Sequence, residues 1–206
     1  MPPEVMVFDI GRVLIGWDPE GFYDRVIGVP ARARLFAEVD LHGMNLAIDR
    51  GEGFGSVVAA CAAAHPAWAG EIMLWHDRWS EMVTGPIEGS VRLLRALKAR
   101  GVPVLALTNF GRETLQIAQA RFDFLNEFDA MVVSGHLGAV KPEPAIYAAL
   151  ESVAHVPPDR LFLADDVAAN CAAAAARGWH THLFQSPEGL AAALLAHGLL
   201  TEETLP

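Results

Sequence analysis

The chain has 206 residues, 52% of them hydrophobic and 19% charged, a composition that excludes a long disordered chain and requires a buried core. At this length roughly 70% of the unfolded surface is buried on folding, enough for one α/β domain with an insertion and no metal or disulfide staples. Fifteen basic and 25 acidic residues give a net charge of -10, which argues against nucleic acid or another polyanion as partner.

The first apolar run, Val5-Met6-Val7-Phe8, has strand length and stops at Asp9. With no basic region before it and an acid at its end, it fits neither a signal peptide nor a membrane span. From Trp17 to Val83 the pattern turns helical, over Ala31 to Val39, Ser56 to Ala64 and Ile72 to Met82, with no strand signal between them. A further helix opens at Glu88-Gly89-Ser90, carries the stripe Val91, Leu94 and Leu97, and ends before Gly101 as its C′ residue. Strand-length apolar runs then recur at Val102 to Leu107, Ala130 to Val133, Leu161 to Ala164 and His180 to Phe184, with helical patterns between them.

Apolar strands that alternate with helices predict an α/β fold, a Rossmann-like parallel sheet covered on both faces. The core spans residues 1–16 and 84–206, and a small helical cap over 17–83 is inserted after the first strand. A block in that place sits over the C-terminal edge of the strands, where open α/β sheets bind ligands. Cys61 and Cys171 lie far apart in alanine-rich helical stretches, which predicts reduced thiols, neither disulfide nor zinc site, and a cytoplasmic compartment. The expected assembly is a monomer or homodimer, with no membrane partner.

Polar groups stand at three strand ends: Asp9, Thr108-Asn109 and Asp165-Asp166. In a parallel sheet these ends share one edge. A carboxylate closing a buried strand needs a partner or a cation, although Asp9 alone reads equally well as the cap of a turn. Asp165-Asp166 could N-cap a helix near Val167, and Thr108-Asn109 a helix through Thr114 to Ala120. Taken together, three clustered carboxylates repel one another unless a cation neutralises them, and Mg²⁺ suits such oxygen ligands. Lys141, in Val140-Lys141-Pro142-Glu143-Pro144, is held close to a fixed direction by its prolines, which suits an ammonium aimed at a phosphate.

The ordered set Asp9, Thr108-Asn109, Lys141 and Asp165-Asp166 with Asn170 resembles the four motifs of the haloacid dehalogenase-like hydrolases, and the resemblance covers nearly the whole chain. Asp49-Arg50-Gly51-Glu52 also resembles the cap of the branch with sugar-phosphate phosphatases of the α-D-glucose-1-phosphatase type. The resemblance implies a Mg²⁺-dependent phosphomonoester hydrolase acting on a small phosphorylated metabolite. Asp9 would attack phosphorus to give an aspartyl-phosphate that water hydrolyses. Mg²⁺ would be held by Asp9, Asp165 and the backbone of Gly11, with Asp166 orienting its waters. Thr108, Asn109 and Gly11 would bind the phosphoryl group, Lys141 would offset negative charge, and Asn170 would support the loop from behind.

One position departs from that pattern. Most phosphatases of this family carry a second Asp two residues after the nucleophile as acid and base, and Gly11 stands there. Such assistance is typically worth about 10²–10⁴-fold. Asp18 is a candidate substitute, although an Asp before Pro19 reads better as a turn cap. Two alternative functions follow: a 2-haloacid dehalogenase using the same nucleophile without metal, and a catalytically weak protein that binds a phosphorylated ligand. The retained pair Asp165-Asp166 favours the phosphatase over the dehalogenase. Arg12 either touches phosphate or stays exposed. His42, His65 and His76 read as exposed or packed, Trp68, Trp75 and Trp79 as the cap's core or its seam with the sheet, Arg50 as the support of a cap turn, and Tyr147 as helix packing.

Overall fold

The computed structural model describes residues 1–205. Chain order runs β1 (Val5–Phe8), β2 (Ile15–Trp17), α1 (Pro19–Ile27), α2 (Val29–Glu38), α3 (Leu41–Asp49), α4 (Phe54–Ala64), α5 (Ala69–Asp77), β3 (Val83–Pro86), α6 (Glu88–Ala99), β4 (Val104–Thr108), α7 (Arg112–Arg121), β5 (Ala130–Val133), α8 (Ser134–Leu137), α9 (Pro144–Ala154), β6 (Leu161–Asp165), α10 (Ala168–Ala176), β7 (His180–Leu183) and α11 (Pro187–Ala196). Five strands form one sheet in the order β5-β4-β1-β6-β7, every pairing parallel. This is the Rossmann-like α/β fold that the alternation of apolar runs and helices predicts.

Successive strand residues face opposite sides of a sheet, and each side here has its own core. Met6 and Phe8 pack with α6 and α11, through Val91, Leu94, Leu97, Leu190 and Leu194. Val5 and Val7 pack with α9 and α10, through Ile146, Tyr147, Leu150 and Ala174. Apolar runs without alternation follow from this double covering. The first core continues without a break into α1 to α5, where Tyr23, Ile48, Val58, Ile72 and Trp75 are buried.

Two short strands were invisible in the sequence. β2 and β3 pair antiparallel, Gly16 opposite Gly85, and so tie together the two ends of the helical segment. Three and four residues long and glycine-bearing, they carry too little periodicity to read as strands. The helical segment also holds α1 and α3, which the sequence pattern does not signal strongly. Gly43 inside α3 masks the spacing of its buried Leu41, Met44 and Ile48, while the Asp40 carboxylate caps it by accepting from the Gly43 N–H at 2.8 Å. The helix expected from Ile72 to Met82 stops at Asp77 and gives way to a 3-10 turn over Trp79–Glu81.

Candidate active site

β1 lies at the centre of the sheet, and the order of the chain reverses between it and β6, which opens a crevice at the strand ends. Asp9 extends β1 by one residue, its N–H donating to the Ala164 carbonyl at 2.9 Å. The residue is 7% exposed at that rim, where Oδ1 accepts from the Ile10 N–H at 2.7 Å. Asp165 ends β6 and is fully buried.

Lys141 stands between them, Nζ 2.9 Å from Asp9 Oδ1 and 2.7 Å from Asp165 Oδ2. Asp165 also accepts from the Val167 N–H and from Asn170 Nδ2, each at 2.9 Å through Oδ1. Asn170 therefore grips the Asp165 carboxylate directly, and Tyr147 locks the next turn by donating to the Asn170 carbonyl at 3.1 Å. Asn109 fixes the lysine from the other side: its Oδ1 accepts from the Lys141 N–H at 2.7 Å and its Nδ2 donates to the Lys141 carbonyl at 3.1 Å. Thr108, 1% exposed at the end of β4, has a buried hydroxyl with no hydrogen-bond partner among the described residues.

Neither polar pair supplies the N-cap residue of the helix that follows it, although Asp165 holds the Val167 N–H at the entry to α10. The N-cap residues of α7 and α10 are Gly111 and Val167, neither with a side-chain cap bond. Asp18 does cap a helix, accepting from the Gly21 N–H at 2.8 Å at the start of α1. It does not line the cavity above the rim. Arg50 forms an ion pair with Glu143, two residues beyond Lys141, and so straps the turn after α3 to the loop before α9.

The electrostatics of the rim show what it lacks. Burial pushes the Asp9 carboxyl up to about 7; Lys141 pulls against this and Asp165 adds to it. Burial alone would depress Lys141, but Asp9 and Asp165 together hold its ammonium above the ordinary lysine value. Asp166, half-buried, is raised by burial and then by Asp165. Oxygens of Asp9, Asp165 and Asp166 come within 4.8 Å of one another. One ammonium does not balance three carboxylates, and their hard oxygens fit a divalent cation such as Mg²⁺, which would restore the ionised form of Asp9.

A cavity of about 310 Å³ opens above this rim. Asp9, Gly11, Lys141 and Asp166 line its floor, with Asn109 and Asn170 beside them. One wall is aromatic, with Trp17 and Trp79 at 5.6 Å between ring centroids and Trp79 and Phe110 at 5.9 Å. Trp79 is thus the seam between helical segment and sheet, and Trp75 is buried behind Trp17. Trp68 stays outside, donating to Glu38 at 2.7 Å. Another part of the lining comes from α3, whose His42, Asn45 and Asp49 face the cavity at helical spacing. Arg12, exposed and with φ of 57°, also borders it. Asn45 was not singled out in the sequence and Asp49 only as part of the cap resemblance, with no role at the cavity; the signal available was their place on one face of a helix whose other face is Leu41, Met44 and Ile48.

Fold and rim together define a hydrolase with an acidic, lysine-bridged crevice. The profile of the haloacid dehalogenase-like hydrolases matches residues 30–178, and the chain belongs to that family. No curated protein matches it. Among solved structures it is similar to a HAD family enzyme from Bacteroides thetaiotaomicron in complex with magnesium and inorganic phosphate, at 22% identity over 89% of this chain and 95% of that one, TM-score 0.68. A HAD-like hydrolase from Porphyromonas gingivalis is 18% identical over 95% and 98% of the two chains, TM-score 0.72. L-2-haloacid dehalogenase from Xanthobacter autotrophicus is 20% identical over 96% and 84%, TM-score 0.63.

Proposed function

We propose that this enzyme is a Mg²⁺-dependent phosphomonoester hydrolase that works through an aspartyl-phosphate on Asp9. The observation that carries the reading is the cluster of Asp9, Asp165 and Asp166 bridged by Lys141. A metal-free nucleophile would be poorly served by two further carboxylates, since each raises the pKa of the group that must be ionised. The magnesium and phosphate bound by the Bacteroides relative support the same reading.

The residues divide the work. Asp9, fixed by the Ile10 N–H and Lys141 on one oxygen, keeps its other oxygen for attack on phosphorus. Asp9, Asp165 and Asp166, with the Gly11 backbone, would hold Mg²⁺, which supplies positive charge to the phosphoryl oxygens when bound. Lys141 offsets the charge that develops on attack. The orphan hydroxyl of Thr108 is the donor left over for a phosphoryl oxygen, because a buried hydroxyl without a partner costs about 1–3 kcal/mol that a ligand bond recovers. Asn109 positions Lys141 through its Oδ1 and one Nδ2 hydrogen, and its second Nδ2 hydrogen stays available for a phosphoryl oxygen at the cavity it lines. Residues 17–83 serve as the cap over this floor, and the aromatic wall together with the polar lining suits a small metabolite with both kinds of surface, a sugar phosphate first.

A panel of phosphomonoesters and 2-haloacids, assayed with Mg²⁺ and with excess EDTA, tests the reading. Phosphate release confined to the Mg²⁺ arm is the expected result. Halide release that survives EDTA would establish the dehalogenase instead, and full phosphatase activity in EDTA would remove the metal from the account.

A further inference from the structure

Beyond the carboxylates given to nucleophile and metal, the floor of the cavity offers no acid to protonate a leaving oxygen, since Gly11 has no side chain and Asp18 caps α1 and does not line the cavity. We propose that Asp49, on the cap, is the proton-transfer residue of the reaction, reaching the leaving group from the side opposite Asp9. The inference rests on the phosphatase reading and assigns the part that reading leaves open.

Three observations carry it. Asp49 lines the same cavity as Asp9, Lys141 and Asp166, from the last turn of α3. Its carboxylate is oriented, with Oδ2 accepting from Asn45 Nδ2 at 2.9 Å. Its turn is also pinned to the sheet domain. Gly51 has φ of 93°, and a Cβ there would collide with the Gly135 carbonyl, while Arg50 pairs with Glu143 on the loop that carries Lys141. The seating of this turn on the sheet domain therefore fixes where the carboxylate sits.

The protonation state suits the role. Burial pushes Asp49 up to about 7, against the pull of the Gly111 backbone and with a smaller push from Asp9. The charged or titratable groups around it are Asp9, Asp166, Lys141 and Arg12 across the cavity, His42 on its own helix, and Arg112 with Glu113 where α7 meets the cap turn. A group poised there is a competent acid and a competent base at neutral pH.

The steps balance. As an Asp9 oxygen bonds to phosphorus, the bond from phosphorus to the ester oxygen breaks, and that oxygen takes the proton of Asp49 to leave as an alcohol. Asp49, now a carboxylate, takes a proton from water while the water oxygen bonds to phosphorus and the Asp9–phosphorus bond breaks. Phosphate departs, with Asp9 ionised and Asp49 protonated again.

The test compares an aryl phosphate, whose leaving group needs no proton, with an alkyl phosphate, which does. Wild type should show a shallow dependence on leaving-group pKa. Asp49→Asn should lose about 10²–10⁴-fold in kcat/KM on the alkyl ester and under about tenfold on the aryl ester, and the loss of activity above about pH 7 should vanish from its profile. Because a Cβ at Gly11 meets nothing within 4 Å, Gly11→Asp in the Asp49→Asn background should restore the alkyl rate, which a merely structural defect would not allow. A steep leaving-group dependence in wild type, an alkyl rate unchanged in Asp49→Asn, or equal losses on both esters each overturns the assignment while leaving the phosphatase reading intact. No Mg²⁺-dependent phosphate release from either ester by wild type overturns both.

Discussion

Lys141→Met keeps the length of a side chain that is 1% exposed while deleting the ammonium between Asp9 and Asp165. Its structural consequence is two buried carboxylates without a counter-charge. Breaking a buried pair by removing one partner costs about 3–5 kcal/mol, a large part of a typical stability of about 5–15 kcal/mol. At a urea slope of about 2–3 kcal/mol/M the midpoint should fall by about 1–2 M at pH 8 in EDTA. The loss should depend on pH in a definite sense. Asp9 is already raised to about 7 by burial, so the stability tied to its neutral form is full in acid and is lost as pH rises through 7. Without the lysine this carboxyl is raised further, and the variant gives up more in base than wild type does. At pH 5 Asp9 is neutral in both proteins, only the Asp165 bond to Lys141 is missing, and the deficit should shrink to less than half. Mg²⁺ at pH 8 should recover part of it by supplying charge in the same place. Urea titrations of both proteins at pH 5 and 8, with EDTA or Mg²⁺, measure all four values. A deficit below about 1 kcal/mol at pH 8, or one that does not change with pH, would refute the reasoning.

Thr108→Val replaces an unpartnered buried hydroxyl by an isosteric methyl. Stability should stay level or rise by up to about 1 kcal/mol, while kcat/KM for a phosphomonoester falls about tenfold or more; a variant that loses stability and keeps its rate would mean that the hydroxyl serves the fold. Asp9→Asn should lose turnover and stay folded, because an amide is no nucleophile. Its melting temperature in EDTA should match wild type in acid and exceed it at pH 8, since Asn carries no ionisation to disfavour, and a deficit at pH 8 would contradict the burial argument for Asp9.

The sheet was legible because its strands are buried on both faces, so that Val5–Phe8, Val104–Thr108 and Leu161–Asp165 appear as unbroken apolar runs with a polar residue at the same end. That common end is what groups Asp9, Thr108 and Asp165 in the sequence itself. Boundaries were less legible: Val102 and Pro103 precede β4 because proline has no N–H to give the ladder, and it serves through its carbonyl, which accepts from Met6 at 3.0 Å. Contacts between distant segments were not legible at all. Nothing near Arg50 points to Glu143, and nothing near Asn109 points to the Lys141 backbone, because such pairs are set by how the cap turn and two loops meet. Asp49 was legible as part of the cap resemblance but not as a cavity residue, for the same reason. In sequence it is one acid in a polar turn, and its burial against the rim exists only in three dimensions.

The central claim is a phosphoryl group carried by Asp9. Wild type mixed with an aryl phosphate and Mg²⁺, quenched in acid within one turnover and digested, should yield the peptide bearing Asp9 with a phosphoryl adduct that alkali removes. The adduct should be absent in EDTA and from Asp9→Asn. Phosphate released in that turnover with no adduct on Asp9, or an adduct that persists in the Asp9→Asn protein, would contradict the account.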